Sequence, residues 1–291
     1  MKIGFIGTGV MGSAIAEHVL AAGHQLTVFN RTKAKAQSLL NQGALWAETP
    51  LDVVANSEII FSMVGYPQDV EAIYFGAAGI FEGIRPGQIV VDMTTSTPTL
   101  AIRIAAAAKA RQVGALDAPV SGGDIGAKKA TLTVMVGGDQ ATFEQVMPVF
   151  ELMGQSVHRF GDAGAGQHAK MANQIMIAGT MTGLTEMLVY AKAAGLSLTD
   201  VLATLSHGGA DNWSMDTYGP RILKDDYTPG FFAKHFLKDL RIALNEAEKM
   251  HLDLPATQVA KALYEQLVDD QHLGDDGTQA LVKLWWDQAG K

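Results

Sequence analysis

The 291-residue chain has no cysteine. That excludes disulfides, thiolate metal ligands and cysteine nucleophiles, and it is consistent with a cytoplasmic protein. Basic residues are scarce: 22 Lys and Arg stand against 30 Asp and Glu, a formal net charge of −8. Such a chain repels polyphosphate, so no nucleic-acid partner is expected and any phosphate site must be local. Charged residues are only 18% of the chain and hydrophobic residues 48%, which excludes wholesale disorder. Long apolar runs are also missing. The longest charge-free stretches, such as residues 171–185, fall short of the roughly 18–20 residues that a membrane span needs, so no membrane partner is expected. The apolar N-terminus is broken by Gly4, Gly7, Gly9 and Gly12, and it reads as a strand and turn rather than a signal peptide.

What remains is alternation. Short apolar runs at 2–6, 25–29, 59–64, 88–92, 115–117, 131–136 and 157–160 read as strands. Residues 10–22, 33–41 and 97–111 read as helices. Strands alternating with helices imply a mostly parallel sheet covered on both faces, a doubly wound α/β domain. From about Gly164 no strand is expected. Residues 167–194 read as one long helix, apolar on much of its surface, as in a core or a subunit interface. Helices follow at 198–206, 232–250, 255–269 and 278–287, with Thr199 near one start and Pro255 in the first turn of another. Residues 208–230 are partly loop. The expected organisation is a nucleotide-binding domain over 1–163 and an all-helical domain over 164–291, joined through the Gly/Ala-rich 161–166.

Gly7-Thr8-Gly9-Val10-Met11-Gly12 follows a strand and opens a helix. In that context the spacing is a dinucleotide fingerprint: Gly7 for the tight turn, Gly9 for backbone approach to a pyrophosphate, Gly12 for close helix–strand packing. The helix N-terminus supplies N–H groups and partial positive charge for the anion. Where an NAD site carries Asp or Glu, the second strand ends in Asn30-Arg31-Thr32. Arg31 can pair with a 2′-phosphate, so NADPH is expected to be preferred over NADH, although a surface Arg with mixed cofactor use has the same sequence. Ser121-Gly122-Gly123 follows a strand, and it reads either as an anion-binding turn or as an ordinary one. Lys170, Asn173 and Gln174 share a face of the long helix. A lysine partly desolvated there would have its pKa lowered toward the range a general acid/base needs. Trp213 and Phe231 read as pocket walls or simple core. The eight His show no ligand spacing, so no metal is expected.

Four segments in order resemble the β-hydroxyacid dehydrogenase family, which includes 3-hydroxyisobutyrate dehydrogenase, tartronate semialdehyde reductase, succinic semialdehyde/glyoxylate reductases and 6-phosphogluconate dehydrogenase. They are residues 5–12, Asp117-Ala118-Pro119-Val120-Ser121-Gly122-Gly123, Gly164-Ala165-Gly166-Gln167-His168-Ala169-Lys170-Met171-Ala172-Asn173, and Lys238-Asp239-Leu240. The resemblance covers essentially the whole chain. It implies an N-terminal Rossmann domain, an all-α C-terminal domain and an NAD(P)-dependent oxidoreductase acting on a small carboxylate substrate, a β-hydroxyacid or its semialdehyde, which with the preference read from Arg31 is expected to be NADP-dependent. It implies that Lys170 is the acid/base, that Asn173 orients it and the substrate, and that Ser121, Gly122 and Gly123 hold the carboxylate. It places Val64, Gly65, Thr95 and Lys238 at the cofactor; the adjacent Asp239 would orient Lys238 or close the site. It also implies a homodimer or homotetramer.

The sequence departs from the pattern at Ala130, where the family commonly has Gly; a local effect is expected. Asp124 would disfavour a strongly anionic substrate, and no basic cluster suits a sugar phosphate. Imine reduction is disfavoured by Lys170, and a non-catalytic NADP sensor by the four intact motifs.

Overall fold

In the computed structural model, which describes residues 1–286, the first strands are buried on both faces beyond an exposed first residue because their runs are mostly apolar. β1 (Lys2–Ile6), α1 (Val10–Ala21) and β2 (Gln25–Phe29) form the opening βαβ unit. α2 (Gln37–Asn41), β3 (Leu45–Trp46), α3 (Pro50–Ala55), β4 (Ile59–Ser62), α4 (Pro67–Phe75), β5 (Ile89–Asp92), α5 (Pro98–Lys109) and β6 (Gly114–Asp117) continue it. Then come β7 (Val120–Ser121), α6 (Gly123–Lys129), β8 (Leu132–Gly138), α7 (Gln140–Phe150) and β9 (Gly154–Gly161). The sheet runs β3-β2-β1-β4-β5-β6-β8-β7, with β9 on β8. Pairing is parallel except where β8 meets β6 and β7. Alternate residues feed two cores: Phe5, Phe61 and Val91 enter one with Ile15 and Val19 of α1, and Ile6, Ile60 and Val90 enter the other with Tyr74 and Ile104. The sheet is therefore covered on both faces, as the near-continuous apolar strands require.

The chain divides into two compact units, Met1–Lys170 and Met171 onward. The helices of the second part are α8 (Ala165–Ala193), which starts in the first unit, α9 (Leu198–Leu205), α10 (Trp213–Ile222), α11 (Ala233–Lys249) and α12 (Pro255–Glu265). One core packs Phe236, Leu240, Tyr264 and Leu281, and another packs Met181, Leu188, Leu202, Met215 and Ile222. No described helix is long and apolar enough to cross a membrane.

Several local expectations change. The helix read over 33–41 opens as a 3-10 turn at Lys33–Ala36, with α2 beginning only at Gln37. Ser197, not Thr199, caps α9: its hydroxyl accepts the Asp200 N–H. α10 lies inside the segment read as partly loop, because Asn212 caps it by accepting the Met215 N–H. The last helix is 3-10 over Thr278–Leu284, and Asp287 lies outside the described residues.

Candidate active site

The fingerprint turn is tightly built. Gly7 has φ +99°, and a Cβ there would lie 2.1 Å from the Met63 carbonyl. A Cβ on Gly12 would lie 2.0 Å from the Gly7 carbonyl, so α1 sits directly on the turn. A Cβ on Gly9 would meet nothing within 4 Å. Protein packing therefore explains Gly7 and Gly12 but not Gly9, whose open side adjoins a helix start without a side-chain cap. The exposed N–H groups there suit a pyrophosphate. Val10 is exposed and Met11 half-buried at the same start. The Thr8 N–H donates to Asn30 Oδ1 at 3.1 Å, and Asn30 Nδ2 donates to the Thr32 carbonyl at 2.9 Å. The buried Thr8 hydroxyl has no hydrogen-bond partner among the described residues.

Arg31 is 89% exposed, and the fold brings it a carboxylate that the strand end itself lacks. Asp69 Oδ1, from the first turn of α4, lies 3.6 Å from the guanidinium. The same Asp69 accepts the Tyr66 N–H, so it is anchored as a helix cap.

At the carboxyl ends of β5 and β6, Asp92 and Asp117 are register partners, and both are buried. Asp92 Oδ1 accepts from the Ser62 hydroxyl at 2.9 Å and the Thr94 N–H at 3.1 Å, and the Ser62 hydroxyl lies 3.2 Å from that of Tyr74. Burial pushes the Asp92 carboxyl up to about 6, against the Thr94 and Ser62 hydrogen bonds, with Asp117 adding to the rise. The Thr94 hydroxyl accepts the Val64 N–H at 3.0 Å, so that N–H is spent inside the protein, and Gly65 follows half-buried. Thr95 is half-buried between Thr94 and Ser96, which are buried. Ser121 ends β7. Gly122 and Gly123, with φ +128° and +63°, turn the chain into α6. Asp124 is paired with Lys128 at 3.2 Å, so its charge there is partly offset. Lys170 is 5% exposed.

In the second unit, Asn173 Nδ2 donates to Gln174 Oε1 at 2.8 Å, and Gln174 Nε2 donates to Asp239 Oδ2 at 2.7 Å. Lys238 Nζ lies 3.1 Å from Asp239 Oδ1, and Asp239 is 1% exposed. Asn173, Lys238 and Asp239 are thus joined through Gln174. Trp213 is 58% exposed and packs edge-on against Tyr218, while Phe231 packs against Phe236 of the core. Among the described residues no group of His, Asp or Glu could hold a metal ion.

Residues 2–161 match the family model described as the NAD binding domain of 6-phosphogluconate dehydrogenase, and residues 164–285 that described as NAD-binding of NADP-dependent 3-hydroxyisobutyrate dehydrogenase. The chain belongs to the β-hydroxyacid dehydrogenase family. It is an oxidoreductase of the 3-hydroxyisobutyrate dehydrogenase-like group, with an NAD(P)-binding domain. One relative of this family is the Arabidopsis thaliana probable 3-hydroxyisobutyrate dehydrogenase-like 1, mitochondrial, 49% identical over 97% of this chain and 84% of that protein. Another is the Escherichia coli 2-hydroxy-3-oxopropionate reductase, 40% identical over 91% of this chain and 90% of that protein. Among solved structures, the Mycobacterium tuberculosis 3-hydroxyisobutyrate dehydrogenase with L-serine superposes with a TM-score of 0.89 at 28% identity, over 98% of this chain and 99% of that one.

Within that family site, the sequence did not assign roles to Asp69, Ser62, Asp92, Asp117 or Gln167. Only Asp92-Met93-Thr94 carried a local signal, an Asp two residues before the N–H it accepts.

Proposed function

We propose that the chain is an NADP-preferring dehydrogenase or reductase that interconverts a small β-hydroxyacid and its semialdehyde. The observation that carries the reading is a buried lysine, Lys170, in the first turns of α8, within a segment matching the family's catalytic motif. When bound, the cofactor supplies or takes the hydride at the carbonyl carbon. Lys170 gives a proton to the carbonyl oxygen during reduction and takes the hydroxyl proton during oxidation. Asn173 orients lysine and substrate. Ser121 with the backbone of Gly122 and Gly123 holds the carboxylate, and Trp213 and Phe231 wall the pocket. Lys238, placed by Asp239, reaches the cofactor with Val64, Gly65 and Thr95. The NADP preference rests on Arg31 and on the absence of a carboxylate among residues 30–32. The reading includes a homodimer or homotetramer.

The test is the initial rate of NADPH and NADH oxidation with tartronate, methylmalonate and succinic semialdehydes and with glyoxylate, and of the reverse reaction with 3-hydroxyisobutyrate and L-serine. At least one should turn over, faster with NADPH than NADH at subsaturating cofactor. Lys170→Ala should lower kcat by about 10²–10⁴ with NADPH binding intact. An unchanged kcat would remove Lys170 from the chemistry.

A further inference from the structure

Gln167 is fully buried, and both ends of its amide are spent on one short loop. Its Oε1 accepts the Ser96 N–H at 3.0 Å, and its Nε2 donates to the Thr94 carbonyl at 2.8 Å. Thr95 is therefore bracketed on both sides by a single side chain. The backbone of Gln167 is held in turn. Its N–H donates to Asp117 Oδ2 at 2.8 Å, and the Gly164 N–H donates to Asp117 Oδ1 at 2.7 Å. The Asp117 carboxylate thus sits on the first turn of α8, where free N–H groups and the helix dipole favour an anion.

The seat is close-fitting. A Cβ on Gly166 would lie 2.5 Å from the Met135 carbonyl and 2.7 Å from that of Asp117. Burial nonetheless pushes the Asp117 carboxyl up, against the hydrogen bonds from Gly164 and Gln167. An apolar pair could fill the same space without that desolvation cost. Polar groups kept there satisfy backbone groups on two segments at once: the loop after β5 and the helix start that carries Lys170 three residues after Gln167.

We propose that Gln167 and Asp117 are positioning residues that lock the Thr94–Ser96 loop to the first turn of α8, so that Thr95 and Lys170 are held in one frame for proton and hydride transfer. The inference rests on Lys170 being the acid/base. Misplacement by about 1 Å costs as much as 10²-fold in rate, so loss of the lock should appear in the chemical step.

The test compares Gln167→Met, which keeps the size and loses both amide hydrogen bonds, with Gln167→Glu. The probes are glyoxylate and the three semialdehydes, with NADPH and its 4-deuterated form. Gln167→Met should slow single-turnover hydride transfer by about 10- to 100-fold. It should raise the deuterium isotope effect, leave NADPH affinity within about threefold and accelerate amide exchange at Ser96. A protonated Glu carries one donor and one acceptor, as the amide does. The rate of Gln167→Glu relative to wild type should therefore recover as pH falls.

A wild-type transfer rate in Gln167→Met, a loss matching only an inactive fraction, or a flat pH ratio in Gln167→Glu overturns the inference. Lys170→Ala is measured beside them. If it is slow while Gln167→Met is not, only the positioning role fails. If it is as fast as wild type, the acid/base reading fails and the inference with it. A wild-type chain that turns over none of the probes overturns both.

Discussion

Arg31 sets the cofactor question at the scale of single residues. Its partner Asp69 is 3.6 Å away, and Arg31 itself is 89% exposed. A pair so exposed is worth ~0–1 kcal/mol, which a 2′-phosphate can displace readily. A charge-assisted bond from Arg31 to that phosphate would be worth about 1.5–3 kcal/mol. Arg31→Ala should therefore weaken NADPH by about 10- to 100-fold and NADH by less than about threefold, read by fluorescence titration of each cofactor. Equal losses would remove the argument for a 2′-phosphate site. Ala130, the departure noted in the sequence, also resolves at this scale. It ends α6 with φ +56°, the left-handed conformation that Gly adopts freely and that costs other residues roughly 1–2 kcal/mol. The departure is confined to that helix end.

At the scale of elements, α8 is the one to explain. Its buried side enters the cores of the second unit through Ala178, Met181, Leu184 and Leu188. Its other side leaves Ala172, Met176, Gly179, Gly183, Glu186 and Tyr190 exposed, at alternating spacings of four and three residues. Met176 is 68% exposed and Tyr190 75%, and a Cβ on Gly179 or Gly183 would meet nothing. A stripe of that period fits a helix from a second copy. In the proposed homo-oligomer, this stripe is the expected contact. Met176→Glu combined with Tyr190→Glu should then yield monomers by sedimentation velocity; an unchanged assembly would place the contact elsewhere. The apolar excess of this helix was legible in the sequence, as were β4 and β5, buried throughout, and β1 and β2, buried after an exposed first residue. α3, α4 and α7 were not. Each is short, with Pro at the start or inside, so periodicity over a few residues carries little signal. The fingerprint and Lys170 stood out because contiguous residues define them. The roles of Asp117 and Gln167 did not, because their partners lie 47 to 73 residues away in the chain, and Asp92, besides the nearby Thr94 N–H, is held by Ser62, 30 residues away.

At the scale of the whole molecule, the two units should respond to acid in opposite directions. In the second unit, His235 is lowered to about 4, chiefly by burial, with Lys238 and Lys234 adding and Asp239 and Asp275 opposing. Its folded value lies below the ordinary 6.5, so the folded unit binds fewer protons than the unfolded one. That stability is present above pH ~6.5 and lost as pH falls toward about 4. Asp226, held low by Arg221, and Asp275, held low by Lys234, act in the same sense below their ordinary 3.8. Asp226 is half-buried and Asp275 exposed, so solvent screening keeps their shares small. In the first unit the sign reverses. Asp92 titrates at about 6 when folded against 3.8 ordinarily, so its stabilising share is fully present below pH ~3.8 and is lost as pH rises through about 6. Asp117, raised by burial, adds to this, while Asp139, which burial raises but hydrogen bonds led by those of Thr142 bring lower on balance, opposes it only at lower pH. Between pH 7 and 4, amide-exchange protection should therefore fall in residues 233–249 and hold or rise in residues 59–62 and 89–92. Tryptophan fluorescence from Trp213, Trp285 and Trp286 should change before that of Trp46. His235→Gln should flatten the response of the second unit alone. Simultaneous loss in both units, or loss in the first unit before the second, would show that neither His235 nor Asp92 governs acid stability.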